Sequence, residues 1–167
     1  MKKIYLIRHS KSSWSEAGMG DFDRPLNKRG KTTLPYMAGR LKAFKIKPDL
    51  ILSSPAKRAK RTAQGIADGI GYDKSKLSYQ DSLYDSSYTA YRYLLDSLDD
   101  SLDSIFIIGH NPTITEVGER LSGAILTNMP TCSIVCIEFD VESFKDIEEN
   151  SGKVLFFDYP KKHHIEH

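Results

Sequence analysis

Two histidines each stand directly after a short apolar run: Arg8-His9 follows Ile4-Tyr5-Leu6-Ile7, and His110 follows Ile105-Phe106-Ile107-Ile108-Gly109. A third run, Leu50-Ile51-Leu52-Ser53-Ser54, leads into Pro55 and then Arg58. If these runs are neighbouring parallel strands, their ends bring two arginines and two imidazoles together, because the ligand crevice of an open α/β sheet lies outside the carboxyl ends of its strands. That set suits a small anion such as phosphate, whose oxygens a guanidinium fork grips in pairs. His9 is placed to act as a nucleophile, since a neutral imidazole nitrogen can attack phosphorus and hold the phosphoryl group until water removes it. Phosphoryl transfer asks mainly for positioning and positive groups around the oxygens, which Arg8, Arg58 and His110 would supply. Arg58 also falls in the first turn of its expected helix, where a cation opposes the helix dipole unless an anion is bound there. Lys57, Lys60 and Arg61 read as a solvated face.

The elements that must position these groups are legible in the apolar pattern. Ile4 to Ile7, Leu50 to Leu52, Ile105 to Gly109, Ile134 to Phe139 and Val154 to Phe157 are short and rich in β-branched or aromatic residues, as strands covered on both faces are. Between them the period becomes helical, with stripes of Leu34, Met37, Ala38, Leu41 and Phe44; of Ala59, Ala63, Ile66 and Ile70; of Tyr91, Leu94, Leu95, Leu98 and Leu102; and of Ile114, Val117 and Leu121. Pro35 predicts that the first helix starts near Thr33 or kinks. Ser54-Pro55 and Asn111-Pro112 each read as a capping side chain followed by proline at the first helical position. The alternation predicts an α/β fold: a three-layer sandwich with a mainly parallel central sheet flanked by helices, a hairpin-like edge from the last two strands, and no large cap domain.

A length of 167 residues with 40% apolar content fits one domain, taken as residues 1–160 with a polar tail over 161–167. The 24 basic and 22 acidic side chains nearly balance, which argues against nucleic-acid or membrane binding on bulk charge and leaves any useful basicity local. Cys132 and Cys136 fall in one apolar segment, about 13 Å apart at ~3.3 Å per residue, too far to pair. They read as buried thiols of a reduced, cytoplasmic protein. The opening apolar stretch is too short for a secretion signal. No Asp, His and Cys cluster has metal-ligand spacing and no Gly-rich loop precedes a lysine, so neither metal nor nucleotide cofactor is expected.

The motifs Leu6-Ile7-Arg8-His9, Ser53-Ser54-Pro55-Ala56-Lys57-Arg58-Ala59 with Thr62-Ala63, and Gly109-His110-Asn111-Pro112 occur in order, and in this the chain resembles the histidine phosphatase superfamily. Its short length and the segment Asp23-Arg24-Pro25-Leu26-Asn27-Lys28-Arg29-Gly30 look like the SixA-type phosphohistidine phosphatases. The resemblance implies a phosphohistidine intermediate on His9 and a phosphate pocket of Arg8, His9, Arg58 and His110. Phosphomonoesterases of the superfamily also use an acidic residue between the second and third motifs, for which Asp81 and Asp85 are the candidates here. A turn or helix-capping role is the preferred reading of both. The expected function is therefore metal-independent removal of phosphate from a phosphohistidine protein, releasing inorganic phosphate. The alternatives are a small-molecule phosphomonoesterase with a working acid, and a phosphate or phosphoprotein binding module without turnover.

Overall fold

The computed structural model describes residues 1–14 and 18–163. Among the described residues six strands form one sheet: β1 (Lys2–Arg8), β2 (Leu50–Ser53), β3 (Ser78–Tyr79), β4 (Ser104–Gly109), β5 (Ile134–Phe139) and β6 (Lys153–Asp158). Their order is β3-β2-β4-β1-β5-β6. The two-residue β3 has no apolar run to announce it. Side chains alternate strictly between two cores. Ile4, Leu6, Ile105 and Ile107 face one, Tyr5, Ile7, Phe106 and Ile108 the other, as a period of two requires. Helices α1 (Lys28–Ala43) and α2 (Lys57–Ile70) cover the second core, and α3 (Tyr88–Asp96) and α4 (Thr113–Ser122) the first.

The sheet is mixed rather than mainly parallel. β3, β2, β4 and β1 pair in parallel, but β5 runs antiparallel to β1 and β6 antiparallel to β5. An apolar run carries no direction, and the return through residues 123–133 is what reverses β5. The hairpin-like edge is thus present. The third helix ends at Asp96, so Leu98 and Leu102 pack on the core from the following loop rather than from its stripe.

Local expectations change at Pro35, at two helix starts and at Cys132. Pro35 lies inside α1, which starts seven residues earlier because the Asn27 side chain accepts from the Gly30 amide at 2.8 Å and Leu34, Met37, Ala38 and Leu41 bury the helix. Ser54 and Asn111 do not cap as expected. α2 begins at Lys57 and α4 at Thr113, neither with a side-chain cap, because both polar groups are engaged elsewhere. Cys132 precedes β5 in a left-handed turn with φ of 60° and only Cys136 is in the strand; both are free and buried. Of the expected tail, Lys161 to His163 belong to a 3-10 turn starting at Pro160, and residues 164–167 lie outside the described residues.

The loop after β1 folds back so that residues 11–13 run beside 25–27, with the Ser13 amide donating to the Pro25 carbonyl and the Asn27 amide to the Lys11 carbonyl, each at 2.9 Å. Gly30 permits this. A Cβ there would stand 2.1 Å from the Lys11 carbonyl oxygen. Gly30→Ala is therefore expected to cost about 3 kcal/mol, the upper range for overpacking against backbone, read as a lower urea midpoint at unchanged m-value.

Candidate active site

Strand register brings the three motifs to one edge of the sheet. Arg8 pairs with Gly109 and Ser53 with Ile108. The next residues are tied in turn, the His9 amide donating to the Gly109 carbonyl at 3.1 Å and the Ser54 amide to the Ile108 carbonyl at 3.0 Å. Beyond these ends opens a cleft of about 800 Å³ whose walls include Arg8, His9, Arg58 and His110. The two imidazole rings lie 5.1 Å apart, centroid to centroid.

His9 is 6% exposed and its Nδ1 donates to the Ser10 carbonyl at 2.7 Å. That bond fixes the tautomer and leaves Nε2 with its lone pair. Burial, reinforced by His110, Arg58 and Arg8 and opposed by the Ser10 bond, pushes the His9 pKa down to about 3. His110 is likewise lowered to about 4, by burial first and by Arg58 next. Both imidazoles are thus neutral near pH 7. His110 Nε2 bonds the Ser54 hydroxyl at 2.7 Å, and that oxygen also accepts from the Ala56 amide at 3.2 Å, which is why Ser54 does not cap α2. Asn111 instead donates to the Met129 carbonyl, which also receives Arg8 Nη1 at 2.9 Å.

These histidines set a stability slope. Each has a native pKa below its unfolded value near 6.5, so the unfolded chain binds more protons between about pH 6.5 and pH 4, and stability falls as pH drops through that window. Each histidine contributes at most about 1.4 kcal/mol per pH unit. Comparing urea midpoints at pH 7 and pH 5 should show this fall, and His110→Gln should roughly halve the histidine part of it.

Arg58, 5% exposed in the first turn of α2, is held by Asp21: Nη1 donates to the Asp21 carbonyl at 2.7 Å and Nη2 to its carboxylate at 3.1 Å. Asp21 also accepts from the Tyr84 hydroxyl at 2.7 Å and from Arg24 Nε at 3.0 Å. The Tyr84 bond first and Arg58 next hold its pKa down at about 2. Tyr84 stands edge-on to His110, and Trp14, 82% exposed on the cleft wall, stacks on the Arg24 guanidinium at 3.6 Å. Burial lowers the pKa of both Arg8 and Arg58. Arg8 Nε, Arg58 Nε and His110 Nδ1 are buried without a hydrogen-bond partner.

Of the two acidic candidates, Asp85 reaches the cleft wall, exposed and with φ of 49°, whereas Asp81 opens a 3-10 turn and does not line the cleft. Asp21, Arg24, Ser54, Tyr84 and Asn111 are among the cleft-region groups to which the sequence assigns no role at the site. Among the described residues no group of three or more His, Cys, Asp or Glu could hold a metal ion, and no helix is long and apolar enough to cross a membrane.

Residues 4–101 match the model of the histidine phosphatase superfamily, branch 1. The chain belongs to that superfamily. It is a phosphatase, and its architecture agrees with the SixA branch. A SixA protein of Agrobacterium tumefaciens, proposed to be a phosphohistidine phosphatase, superposes with a TM-score of 0.81 at 26% identity, covering 95% of this chain and 98% of that one. The protein histidine phosphatase SixA complexed with tungstate superposes with a TM-score of 0.82 at 21% identity, covering 96% and 99%. An uncharacterized chloroplastic protein of Arabidopsis thaliana is 28% identical to this histidine phosphatase over 160 residues, 90% of this chain and 72% of that relative.

Proposed function

We propose that this histidine phosphatase hydrolyses phosphohistidine on a protein, through a phosphoryl group held transiently on His9. The observation that carries the reading is the His9 tautomer: Nδ1 is committed to the Ser10 carbonyl, and the pKa near 3 keeps Nε2 unprotonated. In this reading Nε2 attacks phosphorus, the bond from phosphorus to the leaving imidazole nitrogen breaks with its electron pair staying on that nitrogen, and the imidazole, carrying a proton from solvent on its other ring nitrogen, departs neutral. Water then attacks the phosphoryl group, freeing His9 and releasing inorganic phosphate. Arg8, Arg58 and His110 would hold the phosphoryl oxygens, a role supported by their buried, unpartnered nitrogens around one cleft. The tungstate bound by the SixA structure of the same fold, a tetrahedral oxyanion, is consistent with this.

Substrate choice follows from the leaving group. Imidazole has a pKa near 6.5 and leaves protonated without strong help, whereas an alkoxide from a phosphate ester needs a positioned acid. Asp85 is the cleft-wall carboxyl that would serve an ester substrate, and it is exposed rather than buried against the site. The test is kcat/KM for a phosphohistidine protein against an aryl phosphate in metal-free buffer. A clear preference for phosphohistidine is expected. Faster ester cleavage that also drops in Asp85→Asn would make the enzyme a phosphomonoesterase, and no turnover on either substrate would favour a binding module.

A further inference from the structure

Charge in this chain is divided between the two halves of its sequence. Residues 1–80 carry eighteen of the 24 Lys and Arg but only six of the 22 Asp and Glu, and the remainder carries the opposite excess. The near-neutral total conceals this. The basic half contributes α1 and α2, the acidic half α3 and α4. Between α1 and α2 lies a groove of about 790 Å³ into which Lys31, Lys57 and Arg61 project, with Leu26, Leu34 and Pro35 in its walls. All three cations are exposed, and none takes part in an ion pair among the described residues. Asp68 is the acidic side chain in the groove, and it is paired with Lys74 at 3.1 Å.

The groove abuts the cleft through the chain itself. Lys57 precedes Arg58 and Pro25 follows Arg24, so each of these adjacent pairs puts one residue on the groove and the other on the cleft. Lys11 adds a further cation to the cleft, from the loop that Gly30 packs against. Resting on the phosphohistidine reading above, we infer that the α1–α2 groove docks an acidic segment of the phosphorylated protein while its phosphorylated side chain enters the cleft. Unpaired like charges cost self-repulsion, which an acidic partner relieves, and charges of this kind act mainly on encounter and on salt dependence. The apolar walls suit a segment in which acidic residues alternate with apolar ones.

The test uses two phosphohistidine peptides of equal length, one flanked by aspartates and one by serines, with phosphoramidate as a small substrate. Native enzyme should favour the aspartate peptide by about tenfold in kcat/KM, through KM, with the advantage fading as salt is raised. The variant combining Lys31→Gln, Lys57→Gln and Arg61→Gln should lose that preference while cleaving phosphoramidate within about twofold of native at physiological salt. Equal native rates on the two peptides, or a preference that survives in the variant, would overturn the docking site. So would an equal loss on phosphoramidate, which would place the effect in the cleft. Failure of native enzyme on every phosphohistidine substrate sinks the substrate proposal instead. Phosphotyrosine peptides with the same flanks then decide the groove separately. Tighter binding of a single-stranded RNA than of the aspartate peptide, or a salt-sensitive dimer lost in the variant, assigns the groove to nucleic acid or to a second copy and also overturns the inference.

Discussion

His9→Ala is expected to lower kcat/KM on every phosphorylated substrate by on the order of 10⁴-fold or more, the scale seen when a nucleophile that works with its supporting groups is removed. The loss should fall in kcat. Rapid quench into alkali with radiolabelled substrate should trap a phosphoryl-enzyme in the native protein and none in the variant. The fold should tolerate the change, because the imidazole is neutral when buried and its hydrogen bond is to the neighbouring carbonyl of Ser10. Truncation therefore orphans no charge. A labelled intermediate in His9→Ala would move the nucleophile elsewhere and undo the assignment.

Arg58→Gln is expected to cost about 10²- to 10³-fold in kcat/KM, comparable with removing one preorganised donor from a developing anion. Its second effect is specific to this site. Arg58 neutralises Asp21, so the variant leaves a carboxylate facing the incoming phosphate with Tyr84 and Arg24 as its partners among the described residues. Asp21→Asn added to Arg58→Gln should recover about tenfold, since two negative charges no longer meet at short range. The two substitutions are in contact and will not add. Strict additivity, with Asp21→Asn no better in the Arg58→Gln background than alone, would show that the ion pair has no bearing on phosphate.

The convergence of Arg8, His9, Arg58 and His110 was readable because each follows an apolar run, and a strand buried on both faces leaves its ends as the place where polar chemistry can begin. Strand direction was not readable in the same way. Ile134 to Phe139 has the same composition whichever way it runs, and only the path of residues 123–133 makes it antiparallel. Asp21 and Tyr84 were hidden for another reason. They meet across 63 residues of sequence, from two loops without periodicity, and neither residue type is unusual in a turn. Pro35 misled because the local cost of a proline was weighed without the Asn27 cap and the buried α1 stripe that outweigh it. Ser54 and Asn111 read as helix caps, and neither caps its helix. Their partners, His110 for one and Met129 for the other, come from elsewhere in the fold and redirect them.

Asp21 meets Arg58 with its backbone carbonyl at Nη1 and a carboxylate oxygen at Nη2, so the resting guanidinium already faces an anion. Arg58 is never fully released to solvent. On the reading proposed above, a phosphoryl group arriving at Arg58 would displace the Asp21 carboxylate, which would return as orthophosphate departs. The last step of each cycle would then be a ligand swap with a tethered competitor. An enzyme arranged this way would clear itself. It should stay active in a compartment rich in free phosphate, where an arginine left bare would hold the product and stall.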